Sequence, residues 1–140
     1  MSSFKIFDIA GSGMAAQSVR LNTVASNLAN AESVSGTAEG AYKARHPVFE
    51  AVKAAMQSGN SVDPGAAVKV LGIVEDNKAP EMRYQPGNPL ANAEGYVFAP
   101  NVNVVEEMVD MISASRAYQN NVEVMNTSKD LLLATLRLGQ

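Results

Sequence analysis

The sequence predicts a mainly α-helical chain with a small β-rich insert, its N- and C-terminal helices paired as an antiparallel coiled coil in an elongated molecule. Three observations carry this. Every third and fourth residue from Val104 gives Met108, Met111, Ser115, Tyr118, Val122, Met125, Lys129, Leu132 and Leu136, with eight of the ten apolar and no glycine or proline between them. Phe7, Ala10, Met14, Gln17, Leu21, Val24, Leu28 and Ala31 repeat the same rhythm, broken only by Gln17. Between the two stripes lie short β-branched runs punctuated by Gly, Pro and Asn. Residues 1–31 and 101–140 therefore form a terminal-helix unit, and 32–100 a loop and β-rich insert.

The first helix is expected over about Phe7–Asn30. Gly11 and Gly13 each cost it about 1 kcal/mol relative to Ala, so it should form fully only when packed. Asn27 and Asn30 stand where the chain should leave the helix, as Asn tolerates a left-handed C-terminal cap. Glu32–Ala41 reads as loop. Tyr42–Glu50 begins extended, yet Pro47 also suits the first turn of a helix through Val48, Ala51, Val52 and Ala55; strand then short helix reconciles the two. Gln57–Gly65 is a polar turn region, and Ala66–Asp76 is the strongest strand. Short strands are expected at Glu81–Tyr84 and Gly95–Ala99. The long helix starts behind Pro100, with Asn103 and Glu106 at capping-box spacing and Glu106, Glu107 and Asp110 favoured by the dipole.

The 140 residues are the size of one ordinary domain, 46% hydrophobic, with no Cys or Trp and seven Met. A net charge of −3 argues against nucleic-acid binding, which needs clustered Lys and Arg. Without Cys there are no disulfides or thiolate chemistry. The start of the chain lacks the basic and apolar regions of a secretory leader, and no apolar run approaches the roughly 20 residues of a membrane span.

Chemistry has few candidates. Gly11-Ser12-Gly13-Met14-Ala15-Ala16, with Glu32 downstream, fits a dinucleotide fingerprint, but Lys5 and Asp8 break the hydrophobic strand that should precede it. His46 is the only histidine, and the insert acids lack metal-loop spacing. No catalytic, cofactor-binding or metal residue is expected. The polar cluster of Arg116, Tyr118, Asn120 and Asn121 either sets register within an apolar seam or simply faces water. Leu131, Leu132, Leu133, Leu136 and Leu138 surround the helix end on most sides, which calls for more than one neighbour. The candidate assembly interface is Met14, Leu21, Val24, Asn27, Leu28, Asn30, Met108, Met111, Arg116, Tyr118, Val122, Met125, Leu132 and Leu136.

The run Gln17-x-x-Arg20-Leu21-x-x-Val24-Ala25-Ser26-Asn27-Leu28-Ala29-Asn30-Ala31 resembles the rod motif of the bacterial flagellar rod and hook axial proteins. Gly95-Tyr96-Val97, Pro100-Asn101-Val102-Asn103, Glu107-Met108 and Ser113-Ala114-Ser115-Arg116-Ala117-Tyr118-Gln119-x-Asn121 extend the resemblance, and Phe49–Ala66 departs from it most. The resemblance implies a structural subunit of the proximal rod, without catalysis, that assembles with copies of itself and other rod proteins into a helical drive shaft between rotor and hook. It also implies export by the flagellar type III apparatus without a cleaved signal, and a place in the periplasmic part of the basal body. The insert would meet either a surrounding ring protein or only its own kind. A competing expectation is a discrete coiled-coil adaptor dimer, which sizing at several concentrations would reveal as a closed species.

Overall fold

The computed structural model describes residues 3–53 and 66–138. Helix α1 spans Ser3–Asn30, a turn longer than expected, and runs through both glycines. Its end is held from outside: the Ser33 amide and hydroxyl both donate to the Asn30 carbonyl, at 3.0 and 2.7 Å. Asn27 is no cap. It lies within the helix, fully buried, and its side chain bonds to other elements. Helix α2 spans Val104–Leu138. Asn103 caps it as predicted, its Oδ1 accepting from the amides of Val105 and Glu106 at 3.1 and 3.4 Å.

The described residues of the insert form four strands in two antiparallel pairs. Strand β1, Arg45–Lys53, pairs with β2, Ala66–Glu75, and β3, Glu81–Tyr84, pairs with β4, Tyr96–Ala99. The short helix expected after Pro47 is replaced by strand through Lys53; Ala55 and the Gln57–Gly65 turn region lie outside the described residues. The reason is directional. Asn27 bonds both the amide and the carbonyl of Arg45, so these groups point away from β2. Pro47, two residues on, shares that orientation, and its missing N–H removes no bond from the ladder. Val48 pairs with Gly72 and Phe49 with Val70, leaving Leu71 as a bulge. In the second pair Gly95 takes φ of 86°, and a side chain there would meet the Tyr84 ring. Ser35 extends this pair by exchanging two backbone bonds with Phe98.

The two helices pack side by side in opposite directions, as their contacts show: Asn27 with Glu107, Arg20 with Asp110, Gly13 with Asn121, and Ile6 across a cleft from Ser128 and Leu132. The β1–β2 hairpin lies along α1. Asn27 holds Arg45, and fifteen residues earlier the Ser12 hydroxyl accepts from the Val68 amide, opposite Ala51. That stretch of helix is about 22 Å long and the matching strand about 20 Å, so the two run together. Among the described residues the buried apolar ones are mostly alanines: Ala10, Ala16, Ala31, Ala41, Ala44, Ala99 and Ala114, with Val24 and Val97.

Candidate assembly interface

The seam between α1 and α2 recurs every seven residues on both helices. On α1 the positions are Ile6, Gly13, Arg20 and Asn27; opposite them on α2 are Ser128, Asn121, the Asp110–Ala114 turn and Glu107. Small and polar side chains line it. A Cβ on Gly13 would lie 2.9 Å from Asn121 Nδ2, so this glycine, a cost to the isolated helix, lets the two backbones approach. Ala114 is completely buried in the middle of the seam. The Arg20–Asp110 ion pair, 2.6 Å, bridges the helices but is part-exposed on both sides, which limits its contribution to about 1 kcal/mol or less.

At one end of the seam three elements meet on Asn27. Its Nδ2 donates to the Arg45 carbonyl and to Glu107 Oε1, each at 2.9 Å. Its Oδ1 accepts from the Tyr42 hydroxyl at 3.0 Å and the Arg45 amide at 2.9 Å. The amide thus uses all its hydrogen-bonding positions. Burial pushes the Glu107 carboxyl above the usual carboxylate range, an effect that the Asn27 bond and nearby His46 oppose and Asp110 and Glu106 reinforce. A second amide, Asn101, accepts from the Ala44 amide at 2.7 Å and donates to the Lys78 carbonyl at 3.1 Å, tying the chain before α2 to the hairpin. Asn101 stands in the Pro100–Asn103 run but outside the fourteen candidate interface residues, because nothing local reveals a bond to a residue 57 positions away.

The fourteen candidate interface residues fall into three groups. Val24 and Asn27 are buried within the chain. Met14, Leu21, Leu28, Asn30, Met111, Val122, Met125 and Leu132 are half-buried along the two helices. Met108, Arg116, Tyr118 and Leu136 are exposed. Of the long stripe read from Val104, Met111, Val122, Met125 and Leu132 are half-buried, while Val104, Met108, Tyr118 and Leu136 are exposed. A further outward row runs through Val105, Val109, Ile112 and Val124 to Leu131. The helices are nearly flush at Asn27 and Glu107, and α2 has 35 residues against 28 in α1. The surplus of seven, about 10 Å, falls at the leucine-rich end, where Leu131, Leu136 and Leu138 are more than 60% exposed. The β1–β2 hairpin adds Phe49, Val52, Leu71, Ile73 and Val74 to the exposed apolar surface.

The dinucleotide alternative lacks its structural context. Gly11–Ala16 lies inside α1, so no free helix N-terminus faces a phosphate there, and Glu32 stands in the turn after the helix instead of on a second strand. His46 is exposed on β1. Among the described residues no group of three or more His, Cys, Asp or Glu is placed to hold a metal ion, and no helix is long and apolar enough to cross a membrane.

Comparison with known proteins agrees with the two-helix layout. Residues 7–36 match the family described as flagella basal body rod protein, and residues 93–138 match the flagellar basal body rod FlgEFG protein C-terminal family. These segments cover most of α1 and all of α2. The chain is 54% identical over 143 residues to the flagellar basal-body rod protein FlgC of Escherichia coli O6:H1, and 51% identical over 140 residues to that of Salmonella typhimurium. It is 36% identical over 151 residues to the FlgC of Bacillus subtilis, and all three alignments cover 100% of both chains. With a helix at each end, a β-rich insert between them and full-length similarity to these relatives, the chain belongs to the flagellar basal-body rod protein family.

Proposed function

We propose that the chain is a structural subunit of the flagellar proximal rod, polymerising with copies of itself and other rod proteins into a helical shaft that carries torque from rotor to hook. It performs no catalysis. The observation that carries this is an inversion of the usual core: alanines fill the interior, while Val105, Met108, Val109, Ile112, Leu131 and Leu136 are each more than half exposed along α2. A solvated monomer rarely presents so many large apolar side chains at both ends of one helix, whereas a subunit in a polymer buries them against its neighbours. The total exposed surface, 9780 Å², against about 7000 Å² for a compact monomer of this mass, supports an elongated subunit. The seven-residue repeat of the seam supports an antiparallel coiled coil, the axial unit 1–31 and 101–140, with the insert 32–100 outside it.

Rod growth requires contacts between unlike faces, which extend without closing. The exposed candidates Met108, Arg116, Tyr118 and Leu136 meet neighbouring subunits, while the half-buried ones hold α1 against α2 and fill in behind them. Delivery through the flagellar type III export apparatus, with assembly on the periplasmic side, follows from the same family reading. The insert contacts a surrounding ring protein or adjacent copies.

The test replaces Met108 by Asp, which touches an exposed position and leaves the seam alone. In cells lacking the native chain, this variant is expected to be made and exported, yet to yield no completed rod and no motility, because burial of an unpaired carboxylate opposes docking. Normal swimming by the variant would overturn the assignment of this face.

A further inference from the structure

Glu107 is 5% exposed, and its Oε2 has no hydrogen-bond partner. Its Oε1 has one, the Asn27 side-chain amide. Among the described residues no cation is bonded to it. From α1, Arg20 is bonded to Asp110; from the strand side, the Arg45 guanidinium is bonded to Glu75 at 3.2 Å and Tyr42 is bonded to Asn27. His46 on β1 is the cationic influence that reaches the carboxyl, and Glu106 and Asp110 on α2 work against its charge. The arrangement therefore buries an acid with one neutral donor and an empty second oxygen, at the point where α1, β1 and α2 meet.

We propose that Asn27 and Glu107 form a protonation-sensitive latch, which clamps the start of α2 to α1 and to the first residue of β1 and tightens when the Glu107 carboxyl takes up a proton. The chemistry is a proton equilibrium at one atom. Oε1 accepts the Asn27 N–H in either form, so the bond survives protonation, and the proton resides on Oε2, where it removes a buried charge that the Asn27 bond, His46 and the α2 dipole only partly offset. Loss of the proton leaves that charge in place and favours release of the start of α2. Asn27 would still grip Arg45 through its other bonds, so the hairpin end stays with α1 while α2 loosens. Burial holds the carboxyl above its ordinary value, so folding takes up a proton: the latch is strongest below the unfolded-state value and weakens as pH rises through the folded one. Because α2 also carries the outward apolar row, the latch would govern how firmly that row is presented.

The test is a titration of the full-length chain between pH 8 and pH 4, following the Glu107 side-chain carboxyl and the Arg45 and Val105 amides by nuclear magnetic resonance. The proposal expects a Glu107 midpoint displaced upward from the ordinary glutamate value, with amide protection near Glu107 rising as pH falls. Glu107→Gln should abolish the pH dependence of that protection and hold the pH 8 chain as closed as the acid form. His46→Asn should leave an upward-displaced midpoint in place, which separates the latch from histidine titration. A junction disordered at pH 8 that orders on acidification in the wild type supports the latch, whereas one still disordered at pH 4 overturns it. An ordinary Glu107 midpoint, or the same pH dependence in wild type and Glu107→Gln, also overturns it.

Discussion

Asn27 joins three elements that sequence separates: α1, the Tyr42–Arg45 segment and α2. Replacing it by Ala would orphan the Arg45 amide and carbonyl and strip Glu107 of its one partner. The expected cost is about 3 kcal/mol, seen as a lower urea midpoint with little change in slope. Asn27→Asp should be worse at neutral pH, because it removes both N–H donors and places a second carboxylate against Glu107; mild acid should recover part of the loss. Asn30, in the same motif, turns its amide back to the Ser26 carbonyl at 2.8 Å, and its substitution by Ala should cost far less.

At the level of the helix, the two glycines of α1 are not equivalent. A Cβ at Gly11 meets nothing within 4 Å, so Gly11→Ala should stabilise the folded chain by about 1 kcal/mol through helix propensity. At Gly13 the same change gains the same propensity but drives the Asn121 amide aside, and a larger residue pushes the helices apart. Gly13→Leu should therefore lower the thermal midpoint where Gly11→Ala raises it, and equal shifts would refute the close approach. Gly13 thus belongs to helix packing, and both glycines lie inside α1 and not in a nucleotide loop. On the partner helix, Asn121 donates to the Ala117 carbonyl one turn back, which holds its amide where Gly13 can accommodate it.

For the whole molecule, a core made largely of alanine leaves little apolar area to offset the entropy of ordering two long helices. The far end of α2 is the extreme case, since it runs beyond α1. In a dilute, demonstrably monomeric sample, amides of Leu131–Leu138 and of the first turns of α1 should exchange at least tenfold faster than those around Val24 and Ala114. Incorporation into a rod should slow them to the same rate. Strong protection of both ends in the monomer would contradict this.

Much of this architecture is legible in the sequence because it is local. Helical rhythm, the Asn103 cap, the Ala66–Glu75 strand and the short strands before and after the Pro-rich passage all follow from residue type and spacing. The strand reading of Val48–Lys53 was not legible, because Pro47 suits a helix start or an edge strand equally, and what decides is the hold of Asn27 on Arg45. The side of α2 that faces α1 was not legible either. A stripe of large apolar residues reads as the buried one, yet Glu107, Ala114, Asn121 and Ser128 line the closer approach. The sequence by itself determined that there are two amphipathic helices around a β-rich insert, since periodicity requires only neighbours along the chain. Only the tertiary structure decided which faces meet, because helix separation depends on the fit of side chains from both partners, and small residues on one line bring the backbones closer than large ones on the next.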